Sequence, residues 1–447
     1  MDKKEVEQIW LKHAIEQKDI LDGRVKDGIE KYRKGNVKIR FCDKSGAPVK
    51  NKQVSIEQTK HAFKYGANIF MLDEFGDESL NSVYRETFSK YFNLATLPFY
   101  WGDLEPEKGK LRFDSDSPKI YRRPATELCM DYCNEKGIDA KLHCLVYEMI
   151  LPKWAPVNDM KAMEEAYEKR ISEIAEKYKG RLVEFEVLHE LLREADWKNK
   201  SVISDKRDII KWSFDLARKY LGDETLVINE ASQLVNISRE DYRNPYFMMV
   251  ESALKDGVCI DKIGVQHHCF TGAATESDEE YEKEVLKGSN MFNPERILKG
   301  LDILAELGKP LEITEITVPT FGDSEEDEEL QAELVDVLYS TLFSHPAVDM
   351  AVYWNVPDGY AYKPSHIVWD ENKVHGGLFH KDMTPKKSGE RLFELFNKRW
   401  HTSETLVTDN DGYVELRGFY GEYTAKIEDV QKEFILSKGE KEITIIL

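Results

Sequence analysis

Two glutamates, Glu190 and Glu315, belong to short apolar runs of the sequence. The runs are LVEFEVLHE, which ends at Glu190, and LEITEITV, which contains Glu315. Their β-branched and aromatic residues predict buried strands of a parallel sheet. Enzymes built as (β/α)8 barrels carry their catalytic groups at the carboxyl ends of such strands. Two carboxyl groups there indicate glycosidase chemistry, in which one protonates the leaving oxygen and the other attacks the sugar or activates water. Simple pairing with nearby lysines is the alternative role, and the presence of two glutamates favours the catalytic one.

Further polar and aromatic side chains fall at the ends of the other predicted strands. They are His143, His189, Asn229, Glu230, Gln266, His268 and Trp354. A sugar ring requires such a mixture, because its hydroxyls need polar partners and its C–H face packs on aromatic rings. We therefore expect these side chains to surround the two glutamates.

Eight apolar strand candidates alternate with helical patterns through the middle of the chain. They are FKYGANIF (63–70), NLATLPFY (93–100), AKLHCLVY (140–147), LVEFEVLHE (182–190), TLVINEA (225–231), IGVQHHCF (263–270), LEITEITV (311–318) and MAVYWNV (350–356). Eight strand–helix units predict an α/β fold, a (β/α)8 TIM barrel.

The two ends of the chain follow different patterns. Residues 1–35 are charged and helical, whereas residues 36–62 and 403–447 show the alternation of β-strands. VKIRFCD and KQVSIEQ flank a Ser45-Gly46 turn and predict a hairpin, and the C-terminal segment has a similar turn at residues 410–412. A lone hairpin is marginal in water. We therefore expect residues 36–62 and 403–447 to form one accessory β-sandwich-like domain beside a barrel of residues 63–402.

Charge and composition narrow the range of partners. A net charge of −20 argues against nucleic acid and anionic membranes, and no apolar stretch reaches the roughly 20 residues of a membrane span. The N-terminus lacks the apolar core of a signal peptide, so we expect a cytoplasmic protein, or a secreted one if a leader was removed. The six cysteines lack zinc-site spacing, and we expect no metal or cofactor. The oligomeric state stays open.

Seven segments between Gly66 and Trp400 together resemble glycoside hydrolase family 10, the xylanase family of a large (β/α)8 glycosidase clan. In chain order they are YWGDLEPEKGKLRFD, KLHCLVYEMILPKW, FEVLHELL, LVINEA, GVQHHCF, LEITEITV and VYWNVPDGY. Each resembles the family's motif on the corresponding strand, which makes the resemblance specific although each motif alone is weak.

The resemblance implies roles for individual residues. Glu190 is expected to be the general acid/base and Glu315 the nucleophile, while His268 orients Glu315 and Glu230 stands behind that histidine. Contact with the carbohydrate is expected for eight residues, namely His143, Tyr147, His189, Asn229, Gln266, His268, Trp354 and Trp101.

The chain departs from the family pattern around the glycone, the sugar on the non-reducing side of the scissile bond. His189 stands where the clan has an asparagine, and because an imidazole titrates near neutrality we expect it to tune sugar choice and pH dependence. The family's glycone-binding Glu-Asn pair and lysine fall on Thr96, Leu97 and Tyr100, and its tryptophan and histidine after the third strand fall on Tyr147 and Glu148. An insert, AYKPSHIVWDENKVHGG, is expected to bring Trp369 to the rim.

The expected activity is that of a retaining, endo-1,4-β-xylanase-like glycoside hydrolase, with its two carboxyl groups about 5–5.5 Å apart. A β-glycosidase for decorated oligosaccharides or glycosylated small molecules is the alternative, and a non-catalytic carbohydrate-binding barrel is a third possibility. The sequence leaves open the sugar, the linkage and the exo or endo mode.

Overall fold

The chain begins with helices that pack against the body of the protein. A computed structural model describes residues 3–196, 200–322, 324–365 and 367–447. The first helices are Lys3–Glu16, Lys18–Ile20, Leu21–Val25 and Lys26–Tyr32, of which Leu21–Val25 is a π-helical turn. Trp10 is buried, with its ring centroid 4.6 Å from that of Phe321. This contact anchors the first helix. No helix in the described ranges is both long and apolar enough to cross a bilayer.

In the described part of the chain fifteen β-strands follow, and eight of them close into a parallel barrel. The first two are β1 (Lys34–Cys42) and β2 (Gln53–His61). The barrel strands are β3 (Lys64–Asn68), β4 (Leu94–Pro98), β5 (Asp139–His143), β6 (Glu184–His189), β7 (Leu226–Glu230), β8 (Lys262–His268), β9 (Leu311–Thr317) and β10 (Val348–Tyr353). Each strand pairs with its sequence neighbours, and β10 closes the ring against β3. The structure confirms the predicted (β/α)8 fold and all eight of its strands.

Helices surround the barrel, and several of them begin at side-chain caps that their sequences supply. The longest, Glu325–Ser344, begins with a capping box in which Ser324 and Asp327 bond each other's backbone N–H groups. The α-helices after β3 are Glu78–Tyr91, Trp101–Leu104, Thr126–Lys136, Met160–Tyr178, Ile209–Leu221, Leu234–Glu240, Pro245–Lys255, Asp278–Gly288, Pro294–Ala305, Glu325–Ser344 and Lys387–Glu394. Short 3-10 or π segments are Glu148–Ile150, Leu191–Asp196, Val202–Asp205, Asp241–Arg243, Ser289–Phe292, Glu371–Val374 and Leu395–Arg399.

The two ends of the chain combine in two small sheets. The last strands are β11 (Ser403–Val407), β12 (Tyr413–Phe419), β13 (Gly421–Ile427), β14 (Val430–Leu436) and β15 (Glu442–Ile446). One sheet has the order β12-β1-β15 and the other β11-β2-β13-β14. Buried residues from both ends form a separate core, among them Ile39, Phe41, Ile56, Leu416 and Tyr423. The accessory β-structure built from both termini, which the sequence predicts, is therefore present.

The predicted β1–β2 hairpin is wrong, because these strands belong to different sheets. β1 lies between β12 and β15, whereas β2 lies between β11 and β13. Likewise β11 and β12 do not pair, and only β13 and β14 form a C-terminal hairpin. The physical reason is that β1 and β2 each bury one apolar face, and facing sheets cover both faces where a hairpin would leave them exposed.

Four charged residues, three of them buried and Lys262 mostly buried, fill the amino-terminal half of the barrel. Lys141 Nζ lies 2.7 Å from Glu184 Oε1 and 3.1 Å from Glu312 Oε2. Lys262 Nζ lies 3.0 Å from Glu184 Oε2 and 2.7 Å from Glu312 Oε1. Burial alone would raise the pKa of Glu312, but the two lysines lower it to about 2. Burial and the facing Glu312 raise the pKa of Glu184 to about 8, although the same lysines act to lower it. The cluster therefore joins β5, β6, β8 and β9 through ion pairs.

Removal of one lysine from this cluster should destabilise the barrel. Lys141→Met leaves two glutamates with one buried lysine, and breaking a buried ion pair from one side costs about 3–5 kcal/mol. The matched control is Lys169→Met, which removes an exposed lysine 2.7 Å from Glu173 on a helix and should cost less than about 1 kcal/mol. Urea unfolding measures both changes, and equal midpoints would contradict the prediction.

Deletion of residues 403–447 should prevent proper folding. It removes the strands on both sides of β1 and β2, which exposes apolar side chains such as Ile39, Phe41 and Ile56. We expect the shortened protein to be insoluble or aggregated when expressed. A soluble, fully active barrel after this deletion would show that the sheets are dispensable.

Candidate active site

Glu190 and Glu315 meet at the carboxyl end of the barrel. Glu190 directly follows β6, and Glu315 lies within β9. The Gln266 side-chain amide donates to both carboxylates, with Nε2 2.9 Å from Glu190 Oε1 and 2.9 Å from Glu315 Oε1. These two oxygens are therefore at most twice 2.9 Å, about 5.8 Å, apart. The separation fits the ~5–5.5 Å of retaining glycosidases and not the ~6.5–9.5 Å of inverting ones.

Glu315 is held by three donors and is almost fully buried. Besides Gln266, the Asn229 amide donates to Oε1 at 3.3 Å, and His268 Nε2 lies 3.1 Å from Oε2. Burial alone would raise the pKa of this carboxyl, but the His268 hydrogen bond and the nearby His189 charge hold it below its ordinary value. Glu315 is consequently ionised at neutral pH, as a nucleophile must be.

Glu190 is the more accessible of the two carboxyl groups. Its side chain is 20% exposed, against 5% for Glu315. The Tyr147 hydroxyl donates to Glu190 Oε2 at 2.9 Å. The backbone of Glu190 is left-handed, with φ of +51°, so the strand ends here and the chain turns away. Glu190 thus combines a fixed orientation with access to the cleft.

His189 lies among three carboxylates. Its Nδ1 is 2.7 Å from Glu186 Oε1, and its Nε2 is 3.6 Å from Glu190 Oε1 and 3.9 Å from Glu315 Oε1. Burial alone would lower the pKa of His189, but the charges of Glu190 and Glu186 raise it to about 10. The expectation that this imidazole titrates near neutrality is therefore wrong, since it is a cation throughout the neutral range.

Glu186 connects the two histidines of the site, although it is not among the site residues predicted from the sequence. Its carboxylate accepts from His143 Nδ1 at 2.9 Å and from His189 Nδ1 at 2.7 Å, and it is 1% exposed. Burial alone would raise the pKa of Glu186, but the two imidazoles hold it well below its ordinary value. Glu184 and Glu186 alternate along an apolar strand, which is the signal that could have revealed an inward-facing carboxylate.

Aromatic rings line the side of the site formed by β3, β4 and β10. The ring of Trp354 lies 5.4 Å from those of Phe70 and His143. The Tyr100 hydroxyl lies 2.9 Å from His143 Nε2, which ties this wall to the histidine pair. Trp369 reaches the site through Phe270, whose ring lies 5.3 Å away and stacks on His268 at 4.4 Å. Phe70, Tyr100 and Trp354 form what we call the aromatic wall.

The model of glycosyl hydrolase family 10 matches residues 57–394 of the chain. The chain belongs to glycosyl hydrolase family 10. Among curated relatives, it is similar to anti-sigma-I factor RsgI6 of Acetivibrio thermocellus (26% identity; 88% of this chain, 45% of that protein) and to endo-1,4-β-xylanase 2 of Arabidopsis thaliana (22%; 93% and 35%). The chain thus spans between about a third and a half of the length of these relatives.

For two bacterial xylanases, the region similar to this chain covers almost their whole length. Endo-1,4-β-xylanase A of Caldicellulosiruptor saccharolyticus is 25% identical, with 75% of this chain and 94% of that protein covered. The structure of xylanase 10B from Thermotoga petrophila RKU-1 in complex with xylobiose has a TM-score of 0.58 and 21% identity, with 76% and 95% covered. The structural likeness supports the family 10 barrel.

Two residues, Glu230 and Glu148, have surroundings that differ from those expected of a family 10 member. Glu230 does not stand behind His268, whose Nδ1 instead lies 2.8 Å from Thr317 Oγ1. Glu230 accepts hydrogen bonds from the backbone N–H groups of Leu192 and Ala231, so it fixes the segment after Glu190. Glu148 also turns inward, where it accepts from the Ser201 and Ser204 hydroxyls.

Trp101 stands apart from the other expected sugar contacts. It is 3% exposed, its ring packs 4.7 Å from that of Tyr167, and its indole N–H donates to Glu105 at 3.0 Å. Because these partners lie in the main core behind the strand, the structure gives Trp101 a packing role, contrary to the expected substrate contact. The other seven residues lie around the two glutamates.

Among the residues that the structure describes, two groups of side chains bring metal-type ligand atoms within 4.8 Å of one another. One is His143, Cys144 and Glu186, and the other is His143, His189 and Glu315. Both share histidines whose Nδ1 atoms already bond Glu186. The cationic His189 in addition repels a metal ion. We therefore assign no metal or cofactor to either group.

The charge of His189 should depend on Glu186. In the wild-type protein the imidazole should stay protonated from pH 6 to 8, because its pKa is about 10. Glu186→Gln removes one adjacent negative charge, so proton loss should move to lower pH. Imidazole NMR of protein with 15N-labelled histidine measures this, with His189→Asn to assign the signal.

The matched control for this prediction is Glu230→Gln. It makes the same chemical change in a buried carboxylate one strand away, which bonds backbone groups and no histidine. This variant should shift the His189 titration much less. Glu186→Gln should also reduce kcat/KM about 10-fold or more, since general acid–base groups and their positioning contribute on this scale. A neutral His189 in the wild type at pH 7 would contradict the assignment.

Proposed function

We propose that this protein is a retaining glycoside hydrolase of the endo-1,4-β-xylanase type, acting on xylan chains or xylo-oligosaccharides. The observation that carries the proposal is the shared Gln266 amide, which keeps the Glu190 and Glu315 oxygens within about 5.8 Å. Family membership and the xylanases among its relatives support the reaction class and favour it over the other activities that the sequence left open.

The proposed reaction has two displacements at the anomeric carbon. In the first, Glu315 attacks this carbon while Glu190 gives its proton to the departing glycosidic oxygen, which leaves a covalent glycosyl ester on Glu315. In the second, Glu190 takes a proton from water, the water oxygen attacks the anomeric carbon, and Glu315 departs as carboxylate. Configuration is retained, and both glutamates return to their starting states.

The contacts of the site suit this cycle. Gln266, Asn229 and His268 orient Glu315 before it attacks. The glycosyl ester carries no charge, so Glu190 can accept a proton from water without a facing negative charge. The His189 cation lies beside both carboxyl groups and can donate to a sugar hydroxyl next to the reacting carbon. Tyr147 holds Glu190 in place, and His143 and Trp354 complete the proposed sugar site.

The domain division and location extend the proposal. We propose that residues 36–62 and 403–447 act as a structural domain, because few large aromatic side chains lie on the surfaces of their sheets. A cytoplasmic location agrees with six free cysteines. An intracellular xylanase from Thermoanaerobacterium saccharolyticum is also among the similar structures, with 18% identity and a TM-score of 0.56.

Loss of each catalytic glutamate should have a different signature. Glu315→Gln cannot form the glycosyl ester and should be inactive on every substrate. Glu190→Ala should lose activity on xylo-oligosaccharides, where acid assistance contributes roughly 10²–10⁴-fold. On a dinitrophenyl β-xylobioside, whose leaving group needs no proton, it should give a burst of phenolate and then stall. Added azide should relieve the stall and yield a β-glycosyl azide.

Glu148→Gln provides the control, since Glu148 is a buried carboxylate at the same end of the barrel that bonds serines. It should keep the wild-type ratio between activated and natural substrates. Equal losses of Glu190→Ala on both substrates, with no burst and no azide product, would show that the two roles are assigned wrongly. Inactivity of the wild type on every aryl β-xyloside would refute the activity itself.

A further inference from the structure

Two consecutive arginines, Arg122 and Arg123, lie in the loop that follows β4, and Arg123 packs beside the aromatic wall. The Arg123 guanidinium lies 4.3 Å from the centroid of the Tyr100 ring and 5.2 Å from that of Phe70. The other end of Tyr100 reaches His143, which borders the catalytic pair. Arg123 is therefore continuous with the site through Tyr100, and Arg122 is its neighbour in the chain.

The two arginines differ in how their charge is balanced. Arg123 donates from Nε to Asp103 Oδ2 at 2.9 Å. Arg122 is only 8% exposed, yet within the described part of the chain its side chain has no hydrogen bond and no ion pair. Burial lowers the pKa of Arg122, which reflects the cost of an uncompensated guanidinium in this position. Its backbone is also left-handed, with φ of +63°.

Glu371 is the acid whose negative charge acts on Arg122, and its carboxylate already accepts hydrogen bonds from other residues. Glu371, in the insert after β10, accepts from the Asn355 amide at 3.1 Å and from the Trp369 indole at 3.3 Å. It is not within ion-pair distance of Arg122 among the described contacts. Asn355 directly follows Trp354 in the chain, so this acid, the insert and the aromatic wall are mechanically connected.

The rest of the loop adds positive charge. Arg112 bonds backbone carbonyls only, those of Pro118, Asp103 and Arg123. Lys119 donates to the carbonyl of Asp73. Residues 112–123 carry four cations and two aspartates, Asp114 and Asp116, and thus a net charge of +2 within a protein of net charge −20. Such a local reversal of sign attracts an anionic group to this side of the site.

We propose that Arg122 binds the carboxylate of a uronic acid unit that the substrate carries on its glycone side. The proposal rests on the xylanase-type function given above. A guanidinium matches a carboxylate through two parallel hydrogen bonds, and such a pair is strong where water is excluded. A neutral sugar leaves Arg122 without a partner, so the site selects acidic decoration of the chain over the undecorated chain. Tyr100 and Arg123 link that recognition to the sugar held beside His143.

Binding to an inactive protein tests the proposal without turnover. The probes are xylotetraose and a xylotriose that carries one 4-O-methylglucuronic acid, titrated calorimetrically into the Glu315→Gln protein. The acidic ligand should bind more tightly than the neutral one. Adding Arg122→Met should reduce the ratio of acidic to neutral affinity about 10- to 100-fold, the scale of a charge-assisted pair. Lys119→Met removes a cation from the same loop that offers no paired donors, and it should reduce the ratio much less than Arg122→Met does.

Two further variants keep the test decisive if Arg122→Met folds poorly. Arg122→Lys retains the charge but not the paired donors, so it should lose part of the preference. Glu371→Gln removes the acid that opposes a bound carboxylate and should increase the preference. Equal affinity of the parent protein for both ligands, or an Arg122→Met ratio equal to that of the parent, would overturn the uronic acid site.

Turnover of the two probes by the otherwise wild-type protein separates this proposal from the underlying function. If both are hydrolysed and bind equally well, the acidic site is refuted and the xylanase-type function stands. If neither is hydrolysed but the acidic ligand binds through Arg122, the site stands and the hydrolytic function is refuted. Free glucuronic acid as competitor should bind weakly, because recognition requires the attached xylose units.

Discussion

The positive charge of His189 is the interaction on which the site depends. Glu186, Glu190 and Glu315 converge on this one imidazole at 2.7, 3.6 and 3.9 Å. Glu186 and Glu315, ionised beside the proton-bearing Glu190, would repel each other in a buried, low-dielectric setting. The imidazolium offsets that repulsion, and Glu186 in turn fixes its orientation. A family 10 member with asparagine at this position would have no such charge. We therefore interpret His189 and the Glu186 carboxylate that bonds it as a single functional unit.

The barrel interior repeats this principle at its other end. Lys141 and Lys262 form ion pairs with Glu184 and Glu312. Strand β6 therefore contributes to two charged layers, to this one through Glu184 and to the catalytic end of the barrel through Glu186. Glu184 and Glu186 are two positions apart on β6. Glu184 belongs to the charged layer that stabilises the barrel, and Glu186 belongs to the layer beside the catalytic carboxyl groups. Each layer is satisfied by partners on different strands, which requires the strands to keep their register. The charged interior therefore specifies the alignment of the barrel as well as its function.

The sequence predicts the barrel and most of the site because both depend on local patterns. Each of the eight strands is a compact apolar run, and the polar residues at their ends must meet once the barrel closes. The sequence does not predict which strands pair with each other or which side chains come into contact. β1 and β2 alternate as a hairpin would, but pairing depends on strands almost 400 residues away. Glu230, Trp101 and Glu186 differ from expectation for the same reason, since a side chain's direction is decided by neighbours from distant segments. The unpaired guanidinium of Arg122 is likewise visible only in three dimensions.

The placement of β1 between β12 and β15 has a consequence for biosynthesis. Cys42 pairs with Ile446, so β1 emerges from the ribosome long before its neighbours exist. The barrel strands are made in the order in which they pair and can assemble as translation proceeds. The two small sheets cannot assemble during translation, so the apolar faces of β1 and β2 stay uncovered until the C-terminal strands are made. A prematurely terminated product would keep those faces open to chaperones and proteases, so closure of the sheets distinguishes a chain synthesised through β15 from a truncated one.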